Sequence, residues 1–319
     1  MTATLPASAH PAAHPPARFI DGSGRTHALV PGHRDRLKPG WPRMLHDDPP
    51  PVTDAELRSD MTSLTERLDL ADRVLATFDG GFADREILSV GCGDIIEPLF
   101  LAARDARRVV GVEPGLPDND PELERYAALA CTQLDQPADA FRARVELRCE
   151  DVAATRLPDA AFDLVCSWRT LEHIADPLGA FEEMYRVLRP GGLAYHEYNP
   201  FFGLDGGHSL VTLDVPWGHV RFTRDDIDRY LTQFRPAERT RALAYYDTRL
   251  NRMSQADLQR IAHDVGFETL AFVPRTRTED LLHVDAALLA AAERNHPGAV
   301  LNDLICRVVR VVLRRPLAS

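Results

Sequence analysis

The sequence predicts a doubly wound α/β fold around a seven-stranded, mostly parallel sheet. Apolar runs alternate with helix-like segments, which is typical of a parallel sheet covered by helices on both faces. The first five runs occupy residues 87–90, 108–112, 145–148, 162–166 and 192–195. The alternation is interrupted after Pro200, which indicates an insertion after the fifth strand. It resumes with helix 254–266, strand 267–273, helix 283–294 and strand 304–313, which completes seven strands.

The composition is that of a globular protein with no general affinity for polyanions. The 319 residues are 45% hydrophobic and 27% charged, which is enough apolar material for a sizeable core. The formal net charge of -11 gives no overall reason to expect nucleic acid or an anionic membrane as a partner. The oligomeric state is left open, with a homodimer as one alternative.

The cysteines and the N-terminal segment indicate a cytoplasmic location. The five cysteines are scattered and form no C-x-x-C pair, so neither a disulfide framework nor a zinc knuckle is indicated. The first residues lack a basic start followed by an apolar core, and no later stretch has the length of a membrane span.

The pattern divides the chain into five predicted parts. Residues 1–18 are rich in Pro, Ala and His and are expected to be a disordered tail. Residues 19–80 are expected to form an N-terminal arm followed by helices, with the arm as a candidate lid. Residues 81–200 would form the core, residues 201–250 an insertion carrying the substrate pocket, and residues 251–319 the C-terminal part of the core sheet.

Two local signals support the N-terminal part. Trp41, Met44 and Leu45 are too apolar for a free tail, so we expect them to anchor the arm on the body. Thr53 and Asp54 precede leucines at helical spacing, which predicts the capped start of one or two amphipathic helices.

The stretch "ILSVGCGD" predicts a ligand-binding turn after the first core strand. Gly91 and Gly93 suit a sharp strand-to-helix turn where a ligand lies against bare backbone and free helix N–H groups. Glu113 ends the second core strand, where a carboxylate can accept hydrogen bonds from both ribose hydroxyls. Ile96 stands where a dinucleotide fingerprint requires its third glycine, which disfavours a nicotinamide dinucleotide.

The segment 149–195 carries "FDLVCS", "LEHIADP" and "RVLRPGG" in this order. It resembles the class I S-adenosylmethionine-dependent methyltransferases, in particular the small-molecule, type 11-like branch related to the ubiquinone-pathway enzymes. The similarity covers residues 85–198 well and the insertion poorly. It implies a Rossmann-like methyltransferase fold, S-adenosylmethionine as cofactor and a small-molecule methyl acceptor.

The resemblance also implies roles for individual residues around the cofactor. Ser89 departs from the family, which often has an acidic residue there for the cofactor's amino group, so Asp94 or Glu97 would substitute. Gly91, Cys92 and Gly93 would lie against the methionine portion, Glu113 with Pro114 would hold the ribose, Asp151 and Val152 would contact the adenine, and Trp168 and Arg169 would flank the methyl group.

Histidines and aromatic residues near the strand ends are candidates for the acceptor side. His173 follows the fourth strand and His196 ends the fifth, so each is a candidate base for a protonated acceptor. The alternative is that both histidines have a structural packing role. The predicted acceptor contacts are Tyr198, His208, Trp217, His219 and Arg221. No metal is predicted, although His196, His208 and His219 could together bind Fe or Zn.

These observations favour a methyltransferase acting on a small molecule in bacterial specialised metabolism. Two alternatives stay open. One is an enzyme of the same fold with metal-assisted or non-methylating chemistry, and the other is a non-catalytic cofactor-binding subunit.

Overall fold

The computed structural model of the protein describes residues 17–37, 51–116, 121–137 and 139–317. Most of the tail predicted to be disordered lies outside the described residues. The expected arm anchors Trp41, Met44 and Leu45 lie outside them as well.

Within these ranges, nine strands form two sheets. They are β1 (Arg18–Ile20), β2 (Thr26–Ala28), β3 (Glu86–Val90), β4 (Arg108–Val112), β5 (Val145–Arg148), β6 (Phe162–Trp168), β7 (Leu188–Tyr198), β8 (Glu268–Thr276) and β9 (Cys306–Arg314). β1 and β2 form an antiparallel hairpin, and the other seven strands form one sheet in the order β5-β4-β3-β6-β7-β9-β8. β9 runs antiparallel to both its neighbours, and the remaining pairs are parallel. The predicted seven-stranded, mostly parallel sheet is confirmed.

Fourteen helices accompany these strands in the described part of the chain. They are α1 (His33–Leu37), α2 (Asp54–Asp79), α3 (Ile96–Ala102), α4 (Pro121–Gln133), α5 (Asp139–Arg142), α6 (Pro177–Val187), α7 (His208–Val211), α8 (Gly218–Arg221), α9 (Arg224–Phe234), α10 (Arg239–Thr248), α11 (Gln255–Val265), α12 (Thr278–Leu281), α13 (Ala286–Asn295) and α14 (Leu301–Leu304). Short 3-10 helices cover Val152–Ala154, Leu171–His173 and Pro236–Glu238. No helix in these ranges combines the length and apolar character needed to cross a membrane.

Helices cover both faces of the sheet because successive strand residues point to opposite sides. Ile87 and Val109 belong to the apolar layer under α2, α3 and α4. Their neighbours Leu88 and Val110 belong to the layer that packs against α6 and α11. Since both sides of the sheet are buried, the central strands β3, β4 and β6 are mostly apolar rather than strictly alternating.

The predicted N-cap residue of α2 is confirmed as Thr53. Glu56 N–H donates to Thr53 Oγ1 at 3.3 Å, and Thr53 N–H donates to Glu56 Oε2 at 2.9 Å, which forms a capping box. The segment forms the single helix α2, which buries a stripe of leucines against the sheet.

A third apolar cluster joins the described part of the arm to the insertion. Phe19 of β1 is 1% exposed, and its ring centroid lies 5.0 Å from that of Phe222 and 5.5 Å from that of Tyr230. Leu288 of α13 belongs to the same cluster. We call this assembly of the β1–β2 hairpin, residues 201–250 and α13 the cap. The role of the arm as a lid stays a prediction.

Two strands begin two or more residues away from the expected start. β7 begins at Leu188 and includes the Arg-Pro-Gly-Gly segment, because a register irregularity between Phe162 and Leu164 lets pairing with β6 continue. β9 begins at Cys306 rather than at residue 304, since α14 precedes it. Asp303 accepts the Val300 N–H at 3.0 Å and caps that short helix.

Candidate functional site

Two glycines shape the turn between β3 and α3. Gly91 and Gly93 have φ angles of 67° and 69°, in the left-handed region that favours glycine. A Cβ on Gly91 would lie 2.2 Å from Cγ2 of Thr170, so the loop after β6 needs bare backbone there. A Cβ on Gly93 would meet no heavy atom within 4 Å. Gly93 therefore borders space that the described side chains do not fill.

Two carboxyl groups lie next to this turn. The Ser89 hydroxyl donates to Glu97 Oε1 at 2.5 Å, and the Ile96 N–H donates to Asp94 Oδ1 at 2.7 Å. Burial raises the pKa of Glu97 to about 8 and that of Asp94 to about 6. A cation bound nearby would favour the ionised form of both groups. The contact with Ser89 supports the prediction that Glu97 substitutes for an acidic residue at that position.

Cys92, between the two glycines, is buried. Burial raises the pKa of its thiol well above the ordinary range, so the group stays protonated. Cys92 therefore offers a ligand its main chain rather than a reactive sulfur.

Arginines from two elements lie near the same turn. Arg169 follows β6 with a φ of 56°, and its N–H donates to the Glu197 carbonyl at 2.7 Å. The pKa of Arg67 on α2 is lowered by burial and by the charge of Arg169, while Glu97 opposes this shift. The two guanidinium groups are thus within electrostatic range of each other, and a bound anion would offset their repulsion.

Glu113 stands immediately after β4, at the carboxyl edge of the sheet. Its Oε1 accepts the Gly115 N–H at 3.1 Å, and the side chain remains partly exposed. The thiol of Cys149 donates to the exposed Pro114 carbonyl at 3.5 Å, which connects this loop to the one after β5. The carboxylate is held in place and stays accessible from the edge.

Asp151 follows β5 and caps the 3-10 helix that begins at Val152. Its Oδ1 accepts the Ala153 N–H at 2.9 Å, and the residue is exposed. The Val152 side chain is buried in the core. Asp151 therefore has the capping role expected of an isolated aspartate, and its contact with adenine stays a prediction.

Trp168 is the last residue of β6. Its ring centroid lies 5.7 Å from that of Tyr195, in the layer beside α2 and α3. The indole Nε1 is buried and has no hydrogen-bond partner among the described residues. Trp168 thus forms an apolar wall next to Arg169, and its N–H lies within the packed side chains.

A polar cluster of Glu172, His173 and His208 lies where the loop after β6 meets the cap. One potential ligand atom from each side chain lies within 4.8 Å of the others. The imidazole centroids of His173 and His208 are 4.9 Å apart, and the Tyr245 ring lies 6.0 Å from that of His173. Glu113 is close enough for its charge to act on the pKa of His173, which burial lowers. The cluster therefore adjoins the edge that carries Glu113, and the role of His173 as a base stays a prediction.

His196 and Tyr198 do not face this edge, in contrast to the expectation. Both are 0% exposed. Nδ1 of His196 lies 2.8 Å from Ser167 Oγ, and its ring contacts Phe181 of α6. Burial lowers the pKa of His196 to about 3. Because alternate β7 side chains point under α6, this packing does not support the predicted base role of His196, and the predicted acceptor contact of Tyr198 stays a prediction.

The other predicted pocket residues stabilise the cap. Trp217 Nε1 donates to the Leu304 carbonyl at 3.0 Å, and Arg221 Nε donates to the Pro216 carbonyl at 3.0 Å. His219 is buried, with Nε2 donating to the Phe201 carbonyl at 2.9 Å. These contacts give the three side chains a structural role in the cap, and their contacts with an acceptor stay predictions.

The predicted metal triad of His196, His208 and His219 is not assembled. His196 packs on Phe181 and His219 on Phe201, whereas His208 packs on His173. The three imidazoles therefore occupy separate surroundings.

The buried histidines predict an acid-sensitive fold. The pKa of His196 in the folded protein, about 3, lies below its ordinary value of 6.5, so its contribution to stability is complete above pH 6.5 and is lost progressively below it. We expect this histidine alone to lower the free energy of unfolding by about 2 kcal/mol between pH 7.5 and pH 5. Urea unfolding at both pH values should show a weaker pH dependence in His196→Gln.

The exposed His263 provides the matched control, since its side chain is 87% exposed. His263→Gln should keep the pH dependence of the parent protein. An equal pH dependence in His196→Gln and the parent would contradict the assignment of His196 as a buried neutral imidazole.

Comparison with known proteins identifies the family. A family model described as a methyltransferase domain matches residues 63–271, which is more than half of the chain. The chain belongs to the methyltransferase domain family. The predicted family of S-adenosylmethionine-dependent methyltransferases is thereby confirmed, and with it S-adenosylmethionine as the cofactor.

Individual relatives of this methyltransferase match over shorter segments. It is 37% identical over 147 residues to an uncharacterized methyltransferase of Mycobacterium sp. (strain JLS), covering 44% of this chain and 48% of that protein. It is 30% identical over 115 residues to a ubiquinone biosynthesis O-methyltransferase of Pseudomonas fluorescens, covering 36% of this chain and 44% of that protein. The matches thus span less than half of each relative's length.

Among solved structures, the methyltransferase is similar to the geranyl diphosphate C-methyltransferase of Streptomyces coelicolor A3(2), determined with Mg²⁺, geranyl diphosphate and S-adenosylhomocysteine. The identity is 14% and the TM-score 0.47, with 86% of this chain and 87% of that chain covered. This is a similarity of fold alone.

Sequence reasoning missed two residues of the site. Arg67 lies on α2 between the buried Leu64 and Leu68, so a charge beside an apolar stripe was the available signal. Glu172 was passed over within the "LEHI" segment, because its 2% exposure cannot be read from the letters.

Proposed function

We propose that this methyltransferase transfers the methyl group of S-adenosylmethionine to a small-molecule acceptor in bacterial specialised metabolism. The observation that carries the proposal is the Gly91–Gly93 turn, whose open backbone at Gly93 lies at the same sheet edge as Glu113. The O-methyltransferase of ubiquinone biosynthesis among the relatives supports a small-molecule acceptor.

The charges near the glycine turn fit the amino-acid end of the cofactor. Glu97 and Asp94 are desolvated carboxyl groups, and a cofactor ammonium beside them would stabilise their ionised forms. Arg67 and Arg169 repel each other, and a cofactor carboxylate near both would offset that repulsion. The amino-acid end of the cofactor is a zwitterion, so its ammonium would lie beside the two carboxyl groups and its carboxylate beside the two arginines.

Two further carboxylates suit the nucleoside end. Glu113 would accept hydrogen bonds from the ribose hydroxyls while its Oε1 stays oriented by the Gly115 N–H. Asp151 uses Oδ1 for its helix cap, so Oδ2 would accept the adenine amino group. The Val152 N–H would then face an adenine ring nitrogen.

Positioning is the main contribution of the protein to this chemistry. S-adenosylmethionine supplies an electrophilic methyl group on a positively charged sulfur when it is bound. Because displacement at this methyl group needs no covalent intermediate with a side chain, alignment of the acceptor accounts for most of the acceleration. Trp168 and Thr170 would wall the reaction zone and keep water from it.

We place the acceptor above the strand ends, beside His173, His208 and Tyr245. These side chains combine hydrogen-bonding groups with an aromatic wall, which is the composition expected of a small-molecule pocket. A cytoplasmic location is part of the proposal, and the five free cysteines of the chain support it.

The experiment is a screen for methyl transfer from isotopically labelled S-adenosylmethionine to hydroxylated, amino and acidic small molecules. We expect acceptor-dependent formation of both a methylated product and S-adenosylhomocysteine. Cofactor binding with no turnover across the acceptor classes would favour the non-catalytic subunit instead.

A further inference from the structure

Glu172, His173 and His208 form a cluster of potential metal ligands beside the proposed acceptor pocket. It brings two imidazoles and one carboxylate together from two parts of the chain, the 3-10 helix after β6 and α7 of the cap. From this convergence we propose that Glu172, His173 and His208 bind a divalent first-row transition metal ion beside the acceptor pocket. Two histidines and one carboxylate are a recurrent ligand set for such ions.

The hydrogen bond made by His173 prepares its ring for metal binding. Nδ1 of His173 lies 2.7 Å from the Arg249 carbonyl, which can only accept, so Nδ1 carries the proton. The lone pair is therefore on Nε2. A backbone carbonyl that fixes the tautomer in this way is the usual second partner of a metal-bound histidine.

Glu172 and His208 lie close to the spacing expected of two ligands of one ion. Oε1 of Glu172 lies 3.9 Å from Nε2 of His208. Two ligands of a tetrahedral site are roughly 3.3 Å apart when each metal bond is about 2.05 Å. Side-chain movements of about an ångström would bring the three ligand atoms to this spacing.

Burial of Glu172 is compatible with a cation at this place. Its side chain is 2% exposed, and carboxylates are buried to this extent when they are paired or bound to a metal. A divalent ion with two neutral imidazoles and this carboxylate would carry a net charge of about +1, with coordination positions left for an oxygen of the acceptor.

The backbone of His208 adopts a strained conformation that orients its side chain towards His173. Its φ of 51° lies in the left-handed region, which non-glycine residues occupy at some energetic cost. The other residues of α7, 209–211, are buried in the cap, so packing holds His208 in this conformation facing His173.

This inference deepens the proposed function by assigning His173 a ligand role at the acceptor pocket and by favouring acceptors with a coordinating oxygen. It rests on the proposed function only for the identity of the pocket. Metal binding itself can be measured without an acceptor and without turnover.

The test uses the full chain without a histidine tag, stripped with a chelator and titrated with Co²⁺ and then with Zn²⁺. We expect one Co²⁺ per chain, visible absorption bands from its d electrons, and displacement by Zn²⁺. Zn²⁺ should also raise the thermal midpoint of unfolding. His173→Ala, His208→Ala and Glu172→Gln should each weaken Co²⁺ affinity at least about tenfold.

His263→Ala is the control, because this histidine is exposed and outside the cluster. Binding of S-adenosylhomocysteine, measured on every variant, shows that each is folded and tests the cofactor site separately. Absence of stoichiometric Co²⁺ and Zn²⁺ binding, or unchanged affinity in all three cluster variants, would overturn the metal site. If the parent protein does not bind S-adenosylhomocysteine, the proposed function is overturned. The metal titration is interpreted independently of that result.

Discussion

Gly93→Ala is expected to fold and to lose most of its affinity for S-adenosylhomocysteine. A Cβ at this position meets no protein atom within 4 Å, so the fold pays only the left-handed backbone term of about 1–2 kcal/mol. The methyl group would instead enter the space that we assign to the cofactor. We expect the dissociation constant measured by calorimetry to rise about 10- to 100-fold, from an overpacking term of about 1–3 kcal/mol.

Gly91→Ala should behave differently, because its Cβ would lie 2.2 Å from the Thr170 side chain. The free energy of unfolding should fall by about 2–5 kcal/mol, from the backbone term together with overpacking. Adding Thr170→Ala should restore part of the loss. Gly24→Ala is the control for the energetic cost of the left-handed backbone alone. Gly24 has a φ of 85° in the exposed turn of the β1–β2 hairpin, and its Cβ would meet no heavy atom within 4 Å. Equal destabilisation by Gly91→Ala and Gly93→Ala, or full affinity in Gly93→Ala, would contradict the assignment.

Glu113→Ala is the second substitution with a large expected effect. It removes the two charge-assisted hydrogen bonds that we assign to the ribose, each contributing about 1.5–3 kcal/mol. Affinity for S-adenosylhomocysteine should therefore fall at least about tenfold. The fold should be retained, since the Glu113 side chain accepts one hydrogen bond within the described part of the chain, from the Gly115 N–H.

Glu182 supplies a matched carboxylate for this measurement, because it is exposed on α6 away from the strand ends. Glu182→Ala should bind as the parent does. Unchanged affinity in a folded Glu113→Ala would show that the ribose lies elsewhere.

The fold could be predicted from the sequence because its strands are buried on both faces. The run 109–112 is continuously apolar, and the helices between such runs bury the two sides of one sheet. Helix starts were equally legible where a capping residue stands at a boundary, as Thr53 does. The start of β9 was misread because Asp303 caps a short helix within an apolar stretch, which periodicity alone does not reveal.

The acceptor side was harder because residue spacing does not tell which way a side chain points. The sequence predicts that His196 lies at a strand end. The alternation of side chains along β7 instead directs the imidazole under α6, onto Phe181. His208 was grouped with His219 because both lie in the insertion, whereas cap packing turns His208 towards His173 and His219 towards Phe201. Such choices depend on tertiary contacts between elements far apart in sequence.

The glycine turn and Glu113 could be predicted from the sequence because their positions depend on local geometry rather than on tertiary contacts. Gly91 and Gly93 are required by local backbone angles, and Glu113 is placed by the end of its own strand. Local geometry thus sufficed for the cofactor side.

Calorimetric titration of the protein with S-adenosylhomocysteine, and separately with NAD, tests the central claim most directly. Because Ile96 fills the position of the third glycine in a dinucleotide fingerprint, while the charges around Gly93 suit a zwitterion, only the first ligand should bind. We predict one S-adenosylhomocysteine bound per chain and no heat from NAD. Binding of NAD, or no binding of S-adenosylhomocysteine to the folded protein, would contradict the assignment of this sheet edge to the methyl donor.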